Sequence, residues 1–223
     1  MTRIRGVIFD MDGVLIDARE WHYNALNQAL SLFGLSISRE AHLGGFDGLP
    51  TREKLKRLSE QEGLPVTLHT LINNLKQRYT LQMAEKYCRP VDAHQEALAA
   101  LSEQGYRLAV ASNSVRVSVD TLLARAGLNQ WLQFTLSNED VSCGKPHPEI
   151  YRKAIAKLQL SPQECVVVED NPHGIAAATA AGAHVLPVAD PSAVNLSLIE
   201  KFIRQCESKK DEIFTPKRGL AKS

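Results

Sequence analysis

Apolar positions along this chain follow two alternating patterns. Short, mainly apolar runs, Ile4 to Asp10, Leu108 to Ser112, Phe134 to Ser137, Cys165 to Glu169 and Ala183 to Pro187, predict strands. Segments with apolar residues at helical spacing stand between them, and that alternation predicts a parallel sheet covered by helices. The interval from Glu20 to about Val91 offers no strand. Its apolar residues recur at helical steps instead: Trp21, Ala25, Leu26, Ala29, Leu30 and Phe33, then Leu55 and Leu58, then Leu68, Leu71, Ile72, Leu75 and Tyr79. An insertion of that length exceeds a simple crossover, so it predicts a small helical domain facing the end of the first strand. The expected fold is α/β: a doubly wound parallel sheet built from residues 1–17 plus 92–206, with an inserted α-helical cap domain at 18–91. Residues 207–223 mix Lys209, Lys210, Asp211, Glu212, Lys217 and Arg218 with a proline and a glycine, which predicts a flexible tail.

Composition narrows the function classes. With 223 residues and 44% hydrophobic content, the chain can bury a sizeable core and a second small domain. A formal net charge of +1 gives no bulk electrostatic case for nucleic acid or an anionic membrane surface. Cys88, Cys143, Cys165 and Cys206 are scattered without C-x-x-C spacing, which argues against a disulfide framework and a zinc knuckle. No apolar run approaches the ~18 residues needed to span a bilayer, and no leader precedes the Met1-Thr2-Arg3 start. A cytoplasmic protein is expected, without membrane or nucleic-acid partners, as a monomer or weak dimer.

Four segments carry chemistry. The first strand stops abruptly at Asp10-Met11-Asp12-Gly13, and aspartate is otherwise unwelcome in strands and cores. An isolated D-x-D is commonly a solvated loop, so its meaning depends on the segments downstream in the chain. Ser112-Asn113-Ser114 ends the second strand with neutral hydroxyl and amide groups, at the edge where open α/β sheets bind ligands, although such residues also serve as ordinary helix caps. Gly144-Lys145-Pro146 holds a lysine on a fixed backbone, which suits a phosphate or a crowded carboxylate cluster. Val168-Glu169-Asp170-Asn171-Pro172 is a strand end followed by a helix start that Asn171 or Asp170 can cap. Asp10, Asp12, Glu169 and Asp170 at one edge would repel one another without a counter-ion, and a hard divalent cation with oxygen ligands is the natural occupant.

The ordered motifs D-M-D-G-V, A-S-N-S, G-K-P-H-P-E-I-Y and V-V-E-D-N-P-H-G-I resemble those of the haloacid dehalogenase superfamily. More narrowly, they are similar to the branch containing β-phosphoglucomutase and phosphoglycolate-type phosphatases, with a helical cap after the first motif. That resemblance implies a Rossmann-like core and Mg2+-dependent phosphoryl transfer through an aspartyl phosphate. It assigns Asp10 as nucleophile, a role suited to a carboxylate already ionised at neutral pH. Asp12 would be the proton carrier, with a pKa raised by its environment. Mg2+ would be held by Asp10, the Asp12 backbone carbonyl and Asp170, with Glu169 in support. Ser112, Asn113 and Lys145 would hold the phosphoryl oxygens, and Gly13 would permit the turn that brings Asp12 to the site.

The cap sets the substrate. His22 stands at the spacing of the β-phosphoglucomutase histidine that orients the aspartate acid/base. Gly48-Leu49-Pro50-Thr51-Arg52-Glu53 resembles the cap's specificity loop, where Arg52 could grip a second phosphate as a bidentate fork. Arg52 aligns with the mutase arginine only through a one-residue gap, Leu55 falls where mutases have serine, Lys76 lies one position off the mutase lysine, and Ala18 replaces a threonine. These departures favour a phosphatase acting on a small phosphorylated metabolite, of which a sugar phosphate is one class. The alternatives are a β-phosphoglucomutase-like mutase and, more remotely, a catalytically silent binding module.

Overall fold

The structure is a computed structural model and describes residues 3–46 and 49–208. Five strands form within a residue or two of their expected ends: β1 (Gly6–Phe9), β2 (Arg107–Ala111), β3 (Phe134–Leu136), β4 (Cys165–Glu169) and β5 (His184–Pro187). All pair in parallel, in the order β3-β2-β1-β4-β5, so β1 lies at the centre and the chain order reverses beside it. In such sheets the ligand crevice opens at the carboxyl ends of the strands next to the reversal.

Helices α1 (Arg19–Ser31), α2 (Arg39–Ala41), α3 (Thr51–Glu62) and α4 (His69–Tyr87) separate β1 from the rest of the sheet, and α2 continues as a π turn over His42–Phe46. Helix α5 (Asp92–Glu103) leads into β2, α6 (Arg116–Arg125) joins β2 to β3, α7 (Glu149–Lys157) joins β3 to β4, and α8 (Pro172–Ala180) joins β4 to β5. Helix α9 (Leu196–Ser208) closes the described chain.

A parallel sheet covered on both faces needs apolar residues at successive positions, and each strand supplies them to alternate sides. Val7, Phe9, Leu108, Val110, Val166 and Val168 join Leu98 of α5, Leu122 of α6 and Ile199 of α9 in one cluster. Ile8, Ala109, Ala111 and Val167 join Ile150, Tyr151 and Ala154 of α7 and Ala177 of α8 in a second. Leu26, Ala29 and Leu30 of α1, Leu55 and Leu58 of α3 and Ile72 of α4 form a third, apart from the sheet.

Two details differ from the expectation. Leu71 sits outside the apolar stripe of α4 and is 48% exposed, because the helix turns Ile72 inward in its place. Glu207 is not tail: α9 runs on to Ser208, and the Glu207 carboxylate accepts the Ile4 N–H at 2.9 Å, tying the last turn of α9 to the approach to β1. The rest of the expected tail, residues 209–223, lies outside the described residues.

Helix α8 begins where the sequence signals it, with Asn171 accepting the His173 N–H at 2.9 Å and Pro172 in the first turn. Its first turn packs so tightly on the end of β4 that a Cβ on Gly174 would lie 1.7 Å from Glu169 Oε1. Gly174→Ala is therefore expected to cost about 2 kcal/mol and to lower Tm by roughly 4–8 °C in calorimetry. Gly44→Ala, where an added Cβ meets nothing within 4 Å, should leave Tm unchanged or raised.

Candidate active site

Register delivers the acids. Phe9 pairs with Val110 on one side and Val168 on the other, so the next positions, Asp10, Ala111 and Glu169, stand level at one edge of the sheet. The Asp10 N–H still reaches the Val168 carbonyl at 3.0 Å, which holds the aspartate in line with the strand. Beyond it Gly13 adopts φ +90°, and a Cβ there would fall 2.1 Å from Asp170 Oδ2. Only glycine allows both the turn and that approach.

Lys145 is the centre of the cluster. Its Nζ donates to Asp10 Oδ1 at 2.6 Å and to Glu169 Oε1 at 2.7 Å, and it lies 4.7 Å from the centre of the Tyr151 ring. The Tyr151 hydroxyl donates to the same Glu169 oxygen at 2.5 Å, while Glu169 Oε2 accepts the N–H groups of Asp170 and Asn171. Asn113 clamps the lysine's backbone from both sides: its Oδ1 accepts the Lys145 N–H at 2.9 Å and its Nδ2 donates to the Lys145 carbonyl at 3.2 Å. Ser112 is buried beside them, and its hydroxyl accepts the Ser114 N–H at 3.0 Å.

Asp12 faces elsewhere. Its Oδ1 lies 3.0 Å from His22 Nε2, and its Oδ2 accepts the Ser114 hydroxyl at 2.6 Å. Lys76 Nζ sits 3.1 Å from His22 Nδ1. An ammonium can only donate, so His22 Nδ1 must accept and its Nε2–H points at Asp12. Lys76, His22, Asp12 and Ser114 thus form one chain whose donors converge on the Asp12 carboxylate and join α4 and α1 to the carboxyl edge of the sheet.

The two aspartates have opposite electrostatic environments. Burial, reinforced by the charges of Glu169 and Asp12, holds Asp10 well above the usual carboxylate range despite the opposing ammonium of Lys145. Burial also pushes Asp12 upward, but His22, the Ser114 hydroxyl and the Lys76 charge outweigh it and leave the group below its ordinary value. The expectation that surroundings raise the Asp12 pKa is therefore wrong for this state of the molecule. Burial and the neighbouring charge of Lys76 depress His22, which keeps the imidazole neutral. Lys145 is raised because Asp10 and Glu169 overcome its burial.

One ligand atom each from Asp10, Glu169 and Asp170 lie within 4.8 Å of one another. Asp170 Oδ2 accepts Arg19 Nη2 at 3.1 Å, whereas Oδ1 is buried without a hydrogen-bond partner among the described residues. Three hard carboxylates, one with an orphaned oxygen, suit a divalent cation of the Mg2+ type. Asp12 could join them only through its backbone carbonyl, since its carboxylate is committed to His22 and Ser114.

These groups line a cavity of about 640 Å³ whose opposite wall comes from Pro50, from Lys54 of α3 and from His69, Thr70, Asn73 and Gln77 of α4. Arg52 borders the cavity too, but its side chain is 90% exposed and, among the described residues, its Nε pairs with Glu53 Oε1 at 3.6 Å, so it does not converge with the others. Gly48 of the expected specificity loop lies outside the described residues. Sequence reasoning missed Ser114, Tyr151 and Arg19. Ser114 and Tyr151 both stand inside the motifs A-S-N-S and G-K-P-H-P-E-I-Y, where their hydroxyls are the signal; Arg19 gives none.

The sequence profile of haloacid dehalogenase-like hydrolases matches residues 7–188. Among curated proteins, the chain is 30% identical over 189 residues to a phosphoglycolate phosphatase of Pectobacterium atrosepticum, covering 82% of this chain and 79% of that one. It is 27% identical over 187 residues to a phosphorylated carbohydrates phosphatase of Thermotoga maritima, covering 80% and 82%. Among solved structures, a β-phosphoglucomutase from Clostridium difficile superposes with a TM-score of 0.77 at 21% identity, over 91% of this chain and 98% of that one.

Burial lowers the Lys76 pKa from 10.5 to about 8. The fold therefore disfavours the buried ammonium by about 3 kcal/mol at neutral pH. A group with a depressed folded pKa loses stability as pH falls through that value. Lys76→Met is accordingly expected to gain up to about 3 kcal/mol below pH 8, with the gain vanishing as pH approaches 10.5, in urea unfolding at several pH values.

Proposed function

The chain belongs to the haloacid dehalogenase-like hydrolase family, and we propose that it is a Mg2+-dependent phosphatase acting on a small phosphorylated metabolite through an aspartyl phosphate on Asp10. The observation that carries this reading is the division of the two aspartates. Asp10 is locked to Lys145 at the carboxylate cluster that could hold a metal ion, while Asp12 is held apart by His22 and Ser114.

Lys145 fixes one oxygen of Asp10 at 2.6 Å and so sets the direction of the carboxylate before substrate arrives. The same ammonium, with Ser112 and the Asn113 backbone, offers donors to the phosphoryl oxygens. Asp10, the Asp12 backbone carbonyl and Asp170 would hold the Mg2+, with Glu169 supporting. When bound, the cation neutralises charge on the nucleophile and the phosphate. Buried as it is, Asp10 needs that positive charge to remain the anion that attacks.

Asp12 handles the proton. In the present arrangement it is an anion receiving the His22 Nε2–H and the Ser114 O–H, which suits it to take a proton from the water that hydrolyses the aspartyl phosphate. To protonate the leaving oxygen in the first half it must first acquire a proton, and the approach of a phosphate dianion raises its pKa toward that state.

The opposite wall supports a hydroxylated substrate. Thr70, Asn73 and Gln77 share one face of α4 toward the cavity and offer hydroxyl and amide groups of the kind that pair with a polyol or sugar. The relative named a phosphorylated carbohydrates phosphatase fits the same class. A mutase must hold a second phosphate against its cap, and the exposed Arg52 side chain supplies no such clamp in this arrangement.

Asp10→Asn is expected to reduce phosphate release from p-nitrophenyl phosphate with Mg2+ at least 1,000-fold, on the order of the losses seen when a nucleophile is removed. Asp12→Asn should cost about 100- to 10,000-fold. Equal phosphate release by native chain and Asp10→Asn would support the silent module. Supplying glucose 1-phosphate with and without its bisphosphate separates the remaining alternatives: bisphosphate-dependent isomerisation that outruns phosphate release would establish the mutase.

A further inference from the structure

Arg19 is the first residue of α1, and its guanidinium reaches back to the carboxylate cluster of Asp10, Glu169 and Asp170. Its Nη2 lies 3.1 Å from Asp170 Oδ2; the arginine side chain is 46% exposed, the aspartate's 5%. The carboxylate has little freedom to leave this contact, since the missing Cβ of Gly13 alone makes room for Oδ2. Its second oxygen is buried and, among the described residues, has no hydrogen-bond partner.

Charge counting gives the contact a consequence. Asp10, Glu169 and Asp170 bring three negative charges, and Lys145 answers the first two directly. Arg19 answers the third. A divalent cation added to the cluster would then face two resident cations, and the completed site would carry four positive charges against the three carboxylates and the Asp12 anion beside them, where without the arginine it would carry three. Such a site holds its metal more weakly than one without the arginine and attracts a phosphate dianion more strongly.

We propose that Arg19 is a positioning residue that acts as a resident counter-charge for the cation site, setting its metal affinity lower and its affinity for phosphate higher. The inference rests on the reading of the cluster as a Mg2+ site. It also makes the first residue of the helical layer part of the charge balance at the sheet edge, so that the two halves of the cavity are linked by an ion pair as well as by the chain.

Titration calorimetry of Mg2+ into metal-free native chain, Arg19→Gln and Arg19→Lys tests it, followed by inorganic phosphate titrated at saturating Mg2+. Glutamine can still donate to Asp170 but carries no charge. Arg19→Gln is expected to bind Mg2+ roughly five- to tenfold more tightly and phosphate more weakly by a similar factor, whereas Arg19→Lys stays near native. Unchanged or weaker Mg2+ binding in Arg19→Gln, in a protein whose circular dichroism shows it folded, overturns the proposal. So does phosphate affinity that Arg19→Gln leaves unchanged. If the native chain binds no Mg2+, the cation-site reading fails and this inference with it; native binding that Arg19→Gln does not alter removes the inference alone. If Arg19→Gln fails to fold, Arg19→Lys decides: Mg2+ binding shifted several-fold from native there overturns a role that depends on charge.

Discussion

Everything at the carboxyl edge of the sheet depends on one buried cation. Asp10 and Glu169 are brought level by the pairing of β1 with β4, and two carboxylates in such a place repel each other and resist desolvation. The Lys145 ammonium, within 2.7 Å of both, makes the arrangement tolerable. Breaking a buried pair by removing one partner typically costs about 3–5 kcal/mol, because the surviving charge is stranded. The lysine is held accordingly: Asn113 bonds its backbone on both sides, and the Tyr151 ring lies beneath its ammonium.

From that constraint the layout of the fold follows. The lysine comes from the loop after β3, the acids from β1 and β4, and the amide that clamps the lysine from the end of β2. Parallel pairing sends all of these ends to the same edge, and the central place of β1 puts Asp10 between the contributions of its neighbours. Tyr151 belongs to two systems at once. Its ring is part of the apolar cluster under α7, and its hydroxyl holds Glu169, so packing on one face of the sheet fixes the acid that fixes the lysine. Strain in this packing would be transmitted to the site, because close-packed interiors deform little.

What was legible in the sequence was what local chemistry can encode. Strands that are apolar on both faces announce themselves, and two aspartates after Phe9, or Glu169-Asp170 after Val168, are conspicuous because acids are expelled from such contexts. Lys145 was legible through its glycine and proline neighbours. The partners were not, because they join through the fold: Ser114 reaches Asp12 and Arg19 reaches Asp170 across more than 100 positions of chain. For Asp12 the spacing offers His22 as a partner but not the sign of its effect. A raised pKa follows from burial alone, and the structure reverses it with a histidine and a lysine that the sequence places on separate helices. Leu71 and Ile72 show a smaller limit, since adjacent apolar residues on a helix leave the choice of inward face to tertiary packing.

The second cation, Lys76, shows what the fold gives up for this arrangement. A methionine there would fill comparable space without the desolvation that lowers the ammonium to about 8, so stability alone does not explain the lysine. Its effect is orientational. As a donor it forces the accepting lone pair of His22 toward α4 and the ring N–H toward Asp12, and no apolar side chain could set that tautomer. The first cation makes the acids compatible with burial; the second assigns one of them a hydrogen-bond direction. Both act from outside the strand that bears the aspartates. The sheet therefore supplies the positions of the two acids, and the loop after β3 and the helices inserted after β1 supply the difference between them.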